Sequence, residues 1–254
     1  MNIRNKQIGF SQRVKLEWVE QTANLVLAGN DKEEAKSILR ETLKDKVSVG
    51  SEAERGNREK IITILLKIWL TTPTDLHFLR NSGLELLKSI PRNDQFAIHW
   101  GMVMAVYPFW AAVAGQVGRL LKLQGSAAAG HVQRRLREQY GERETVSRAA
   151  RRVIRSYKDW GVLSETPIKG IYTQCSLHSI EEPKLISWLI EAFLTTQLNG
   201  SGALKEIMNS SVFFPFHVKQ ITPAKILEAA SHLEIIRYRL DDDIVILGKK
   251  EIGV

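Results

Sequence analysis

From Gln95 to Gly118 the chain reads QFAIHWGMVMAVYPFWAAVAGQVG, 24 residues without an Asp, Glu, Lys or Arg. A run of that length either crosses a bilayer as one helix or lies buried on all sides inside a globular core. His99, Gln116 and the small residues of the run favour the core, and membrane insertion is the weaker reading. Pro108 lacks an amide donor, so it is expected to kink or divide the helix.

The flanking sequence supplies partners for such a core. Ser11 is a plausible N-cap for a helix carrying Val14, Trp18, Leu25 and Val26, and Gly29 stops it. Asp31 caps the next, with Glu34 at the capping-box position and Ala35, Ile38, Leu39 and Leu43 at helical spacing. A turn at Ser48–Ser51 follows, then two more helices on Ile61–Trp69 and Leu76–Leu87. No internal period links these segments, which argues for a helical bundle rather than a repeat array. At 254 residues the chain is long enough for two domains. We expect a mainly α protein with a bundle over 1–123, a winged helix-turn-helix over 124–178, and helices with a terminal β-hairpin over 179–254. The segment Asn199–Gly202 reads as a linker, and Asp241, Asp242 and Asp243 as the hairpin turn.

Charge singles out the middle of the chain. Residues 121–180 hold 11 basic and 5 acidic side chains, whereas residues 181–254 hold 8 and 10. Gln124-Gly125-Ser126 ends one helix and caps another that runs to Gly141. The helix starting near Glu144 places Val146, Ala149, Ala150, Val153, Tyr157 and Trp160 on one face. Ser147, Arg148, Arg151, Arg152, Arg155 and Lys158 are expected on the other. Beyond Gly161, two β-prone pieces at Val162–Leu163 and Ile171–Thr173 enclose a Pro- and Gly-containing loop, as a wing would.

A guanidinium-lined helix matches the major groove of B-DNA, where Arg bridges guanine O6 and N7 or clamps phosphates. Arg143, Thr145, Ser147 and Arg148 are therefore candidates for base edges. Arg151, Arg152, Arg155 and Lys158 are candidates for phosphates, joined by Arg134, Arg135 and Arg137 of the preceding helix and by Lys169 at the wing tip. A basic helix face is often merely solvated. Here the short Gly141 connection, the Ala-Ala step and the strands after Trp160 together point to one DNA-binding motif.

The stretch AGHVQRRLREQYGERETVSRAARRVIRSYKDWGVL resembles the winged helices of BrxA-like proteins from bacterial BREX phage-defence systems, with the likeness centred on residues 126–174. The long apolar run and the C-terminal extension depart from the smaller members. The resemblance implies a non-enzymatic accessory protein that binds duplex DNA beside larger defence proteins, and homo-oligomers are compatible with it.

The histidines at 77, 99, 131, 178, 217 and 232 form no H-E-x-x-H or other paired ligand spacing. No Walker loop or G-x-S-x-G elbow occurs, so neither an enzyme nor a cofactor is expected. Cys175 lies three residues before His178, a weak nucleophile signal, and as the only cysteine it cannot form an intrachain disulfide. Together with an N-terminus lacking a secretory apolar core, it points to a cytoplasmic protein. The competing reading is a scaffold or adaptor that binds protein through its bundle and apolar C-terminal helix, with the arginine face meeting an acidic partner.

Overall fold

The computed structural model describes residues 7–47, 56–175, 177–239 and 242–248. The expected turn at Ser48–Ser51 lies outside them. The protein is mainly helical. Six helices come first: α1 (Leu16–Leu27), α2 (Lys32–Thr42), α3 (Asn57–Trp69), α4 (His77–Ser89), α5 (Arg92–Val106) and α6 (Pro108–Gln124). The capping box of α2 is present: Asp31 accepts from the Glu33 and Glu34 amides, and Glu34 accepts from the Asp31 amide at 2.9 Å.

α1 starts at Leu16, so Ser11 is not its cap. The preceding backbone is engaged elsewhere, because the Val14 amide donates to Ser156 Oγ at 2.9 Å and its carbonyl accepts from Trp160 Nε1 at 3.0 Å. A helix continued back to Ser11 would take both groups away from these partners.

The uncharged run folds into α5 and α6, bent by 116° on either side of Tyr107. Pro108 causes the break and, at the first position of α6, needs no amide partner. Every residue from Phe96 to Val106 is buried by the protein itself. Among the described residues no single helix is long and apolar enough to cross a membrane.

After α6 the chain forms β1 (Ala127–Ala128), α7 (Ala129–Tyr140), α8 (Glu144–Asp159), β2 (Leu163–Glu165) and β3 (Ile171–Gln174). Gly125, at φ 70°, ends α6 as expected, but Ser126 caps nothing. Ala127 and Ala128 instead pair antiparallel with Tyr172 and Ile171, so α7 starts later than its alanine-rich sequence suggests. β2 flanks β3 on the other side, giving the order β1-β3-β2.

The remaining elements are β4 (His178–Ile180), α9 (Pro183–Leu194), β5 (Ser201–Ala203), α10 (Leu204–Met208), β6 (Phe216–Val218), α11 (Pro223–Ala229), β7 (Leu233–Arg239) and β8 (Asp242–Leu247). β4 and β6 pair in parallel, and β5, β8 and β7 form an antiparallel sheet in that order. The linker-like Asn199–Gly202 thus enters a sheet, since Ser201 and Gly202 belong to β5. Asp242 and Asp243 belong to β8 opposite Arg239 and Arg237 rather than to a turn, and Asp241 lies outside the described residues.

Connectivity repeats within the chain. α6-β1-α7-α8-β2-β3 and α9-β5-α10-α11-β7-β8 share the sequence helix, strand, two helices, two strands, with the first strand beside the last in both antiparallel sheets. The second copy contains an insertion carrying β6.

Trp188 of α9 packs these parts together: a Cβ on Gly101 would lie 2.5 Å from its ring and one on Gly83 2.9 Å. Its Nε1 donates to the Leu79 carbonyl at 3.0 Å. One hydrophobic cluster extends from Phe10 to Val245.

Candidate nucleic-acid interface

The site is built on α8. Its buried side carries Val146, Ala149, Ala150, Val153, Ile154 and Tyr157, and the Tyr157 hydroxyl donates to the Trp110 carbonyl at 2.7 Å, fixing α8 against α6. Burial raises the Tyr157 pKa well above the ordinary phenol value, so this donor keeps its proton. Because α6 and α7 both press on α8, its buried arc is wider than one face.

That width corrects one expectation. Ser147 does not point outward: it is 4% exposed, which removes it from direct contact with a base edge. Arg152 sits at the boundary and is half-buried. Burial, then the like charges of Arg148, Arg151 and Arg155, lower its pKa from the usual arginine value, a sign of concentrated positive potential.

What stays exposed is a narrow ridge, Arg148, Arg151, Arg155 and Lys158, spaced by three and four residues. At 1.5 Å per residue it is roughly 15 Å long. Thr145 and Arg143 lie exposed at its N-terminal end, where Arg143 donates to the Tyr140 carbonyl at 3.1 Å and helps close α7.

Intramolecular carboxylates engage part of the ridge. Arg151 meets Glu144 at 2.6 Å and Lys158 meets Glu165 at 3.0 Å, both cations about half exposed at 48%. Glu165 also accepts from the Gly170 amide at 3.0 Å; that bond, then Lys158, holds its pKa below the usual carboxylate range. Arg148 and Arg155 make no ion pair among the described residues. On α7, Arg134 and Arg135 are exposed; Arg135 pairs with Glu138 at 3.3 Å and the half-buried Arg137 with Glu142 at 3.3 Å. Lys169 stands exposed in the β2–β3 turn.

The fold adds one cation that sequence reasoning missed. Arg13, ion-paired with Asp159, lines a cleft with Arg151, Arg155, Lys158 and Lys169. It lies 146 residues before Asp159, among the basic residues Arg4, Lys6 and Lys15 of the N-terminal segment, and no spacing in the sequence joins that segment to α8. Among the described residues no group of three or more His, Cys, Asp or Glu side chains is arranged to hold a metal. Cys175 is half-buried, and the His178 ring stacks on Phe96 at 4.6 Å.

No protein-family model matches this chain, and neither does a curated protein or a solved structure.

Proposed function

We propose that this chain binds double-stranded DNA, with β1, α7, α8, β2 and β3 acting as a winged helix-turn-helix. In this reading α8 enters the major groove, Arg143, Thr145 and Arg148 meet base edges, and the Thr166–Gly170 turn is the wing. The phosphate contacts come from Arg151, Arg155 and Lys158 on α8, the flanking Arg134 and Arg135, and Lys169 on the wing. The observation that carries the proposal is the exposed cationic ridge standing on a fully packed underside, with Arg148 and Arg155 unpaired among the described residues. The β1-β3-β2 order and the short α7–α8 connection support it. The resemblance of residues 126–174 to BrxA-like proteins adds a setting: a non-enzymatic accessory role in phage defence, beside larger proteins of the same system.

Fluorescence anisotropy on a labelled duplex tests the assignment. Arg148→Glu with Arg155→Glu should weaken binding by about a hundredfold, at roughly 1–3 kcal/mol per lost contact, while leaving helical circular dichroism unchanged. Undiminished binding by that folded variant would remove α8 from the interface.

The C-terminal unit favours a second reading, docking of another protein. It repeats the connectivity, but the exposed side of α11 carries Ala224, Lys225, Leu227 and Glu228, without a basic ridge. Leu227 and Ile236 are 50% and 53% exposed there. Stoichiometric co-purification of a protein that survives nuclease, together with negligible DNA affinity, would put this reading first.

A further inference from the structure

Beside the ridge lies a cleft of about 540 Å³ between α8, the first turn of α7 and the β2–β3 turn. Five cations line it, Arg13, Arg151, Arg155, Lys158 and Lys169, with a single carboxylate, Glu165. Three of the cations have an intramolecular counter-ion each: Arg13 has Asp159, Arg151 has Glu144 and Lys158 has Glu165. Arg155 and Lys169 form no ion pair among the described residues, Lys169 acting on Glu165 only through its field, so five positive and three negative groups leave a local excess of two charges. Like charges gathered at a concave surface repel one another and focus the field on whatever anion enters. Ala129, Ile154, Gly170 and Tyr172 also line it, and no carboxylate besides Glu165 does.

We infer that this cleft is a phosphate-ester site that grips two neighbouring phosphodiesters of one DNA strand, and that Arg13 is part of the grip. The inference rests on the proposed entry of α8 into the major groove, since the strand bordering that groove then runs alongside the cleft. Two singly charged phosphodiesters match the excess of two cations. Guanidinium groups fork onto phosphate oxygens, while Lys158 and Lys169 act as point charges. Arg13 comes from the segment before α1, and Phe10 and Val14 in that segment are completely buried. The grip therefore spans the N-terminal helices and the α7–α8 unit. DNA held there is contacted by both. Free polyphosphates carry the same chemistry, and the test separates the two sources.

Arg13→Gln and Lys169→Ala are made singly and together, and duplex binding is followed against salt. Each lost phosphate contact should lower the slope of log K against log salt by about 0.9 and weaken binding by about five- to tenfold. Lys169 makes no ion pair among the described residues and lies in an exposed turn, so its variant keeps the test valid if Arg13→Gln unfolds the N-terminal segment. Tripolyphosphate is titrated calorimetrically against the same proteins. Reduced duplex affinity and slope in the variants, with only weak tripolyphosphate binding, establishes the site. Wild-type duplex binding with affinity and slope unchanged in the folded variants overturns it and leaves the α8 assignment standing. Tight tripolyphosphate binding that depends on Arg13 and Lys169, without duplex binding by the wild type, overturns the DNA strand as occupant and the DNA-binding proposal with it.

Discussion

Two cations of the ridge are already held by carboxylates, so a nucleic acid has to displace Glu144 from Arg151 and Glu165 from Lys158. Exposed pairs of this kind are weak and salt-screened. Glu144→Gln should therefore raise duplex affinity by about two- to fivefold in low salt, the gain vanishing in high salt; an anisotropy titration reads it directly, and lower affinity would mean that Glu144 orients Arg151 rather than competing for it. Deeper in the molecule, burial lowers the His99 pKa to about 3 from an ordinary 6.5. The unfolded chain takes up this proton first as pH falls, so stability present above pH 6.5 drains away by about 1.4 kcal/mol per unit towards pH 3. Glu191 runs the other way: burial raises its pKa to about 7, against a hydrogen bond from the His232 backbone that lowers it. Its contribution is full below the ordinary 4.5 and lost as pH rises through about 7. Denaturant unfolding of His99→Leu at pH 7 and pH 5 should show the acid-side loss reduced by about 2 kcal/mol relative to wild type. An unchanged difference would mean that His99 is not kept neutral by burial.

Among the elements, α8 was the most legible. Its apolar positions recur at three and four residues, and Val146, Ala149, Ala150, Val153, Tyr157 and Trp160 are all buried as that spacing requires. Ser147 escaped because periodicity assigns one buried face, whereas α8 is covered by two neighbours. The short strands were harder to read: Ala127–Ala128 and Ser201–Ala203 have no strand propensity and are strands only because β3 and β8 lie beside them. Element packing also explains a small residue in the uncharged run. A Cβ on Gly118 of α6 would sit 2.1 Å from the Ser211 carbonyl oxygen, on backbone that cannot swing aside like a long side chain. Gly118→Ala should lower stability by about 1–3 kcal/mol despite alanine's better helix propensity. Thermal unfolding checks it, and a neutral or raised Tm would mean that Ser211 does not pack this closely on α6.

At the scale of the whole molecule, the cations act as a field. If five to seven phosphates are engaged, log K for duplex DNA should fall against log salt with a slope of about −4.5 to −6. A flat plot would exclude the ridge as a DNA surface. The two units of shared connectivity need not do the same work, since the basic excess lies over residues 121–180 and is reversed beyond them. The sequence by itself determined the helical character, the division of the uncharged run at Pro108, the α2 capping box and the amphipathic basic helix. All of these follow from contacts within about one helical turn, which spacing encodes directly. Only the tertiary structure decided that residues 11–14 leave the first helix for α8, that Ser147 is covered, that the second unit repeats the connectivity of the first, and that Arg13 joins the basic cleft. Those outcomes depend on partners more than a hundred residues away or on which sides of a helix are packed, and a hydrogen bond or ion pair across such a distance leaves no periodic trace in the chain that makes it.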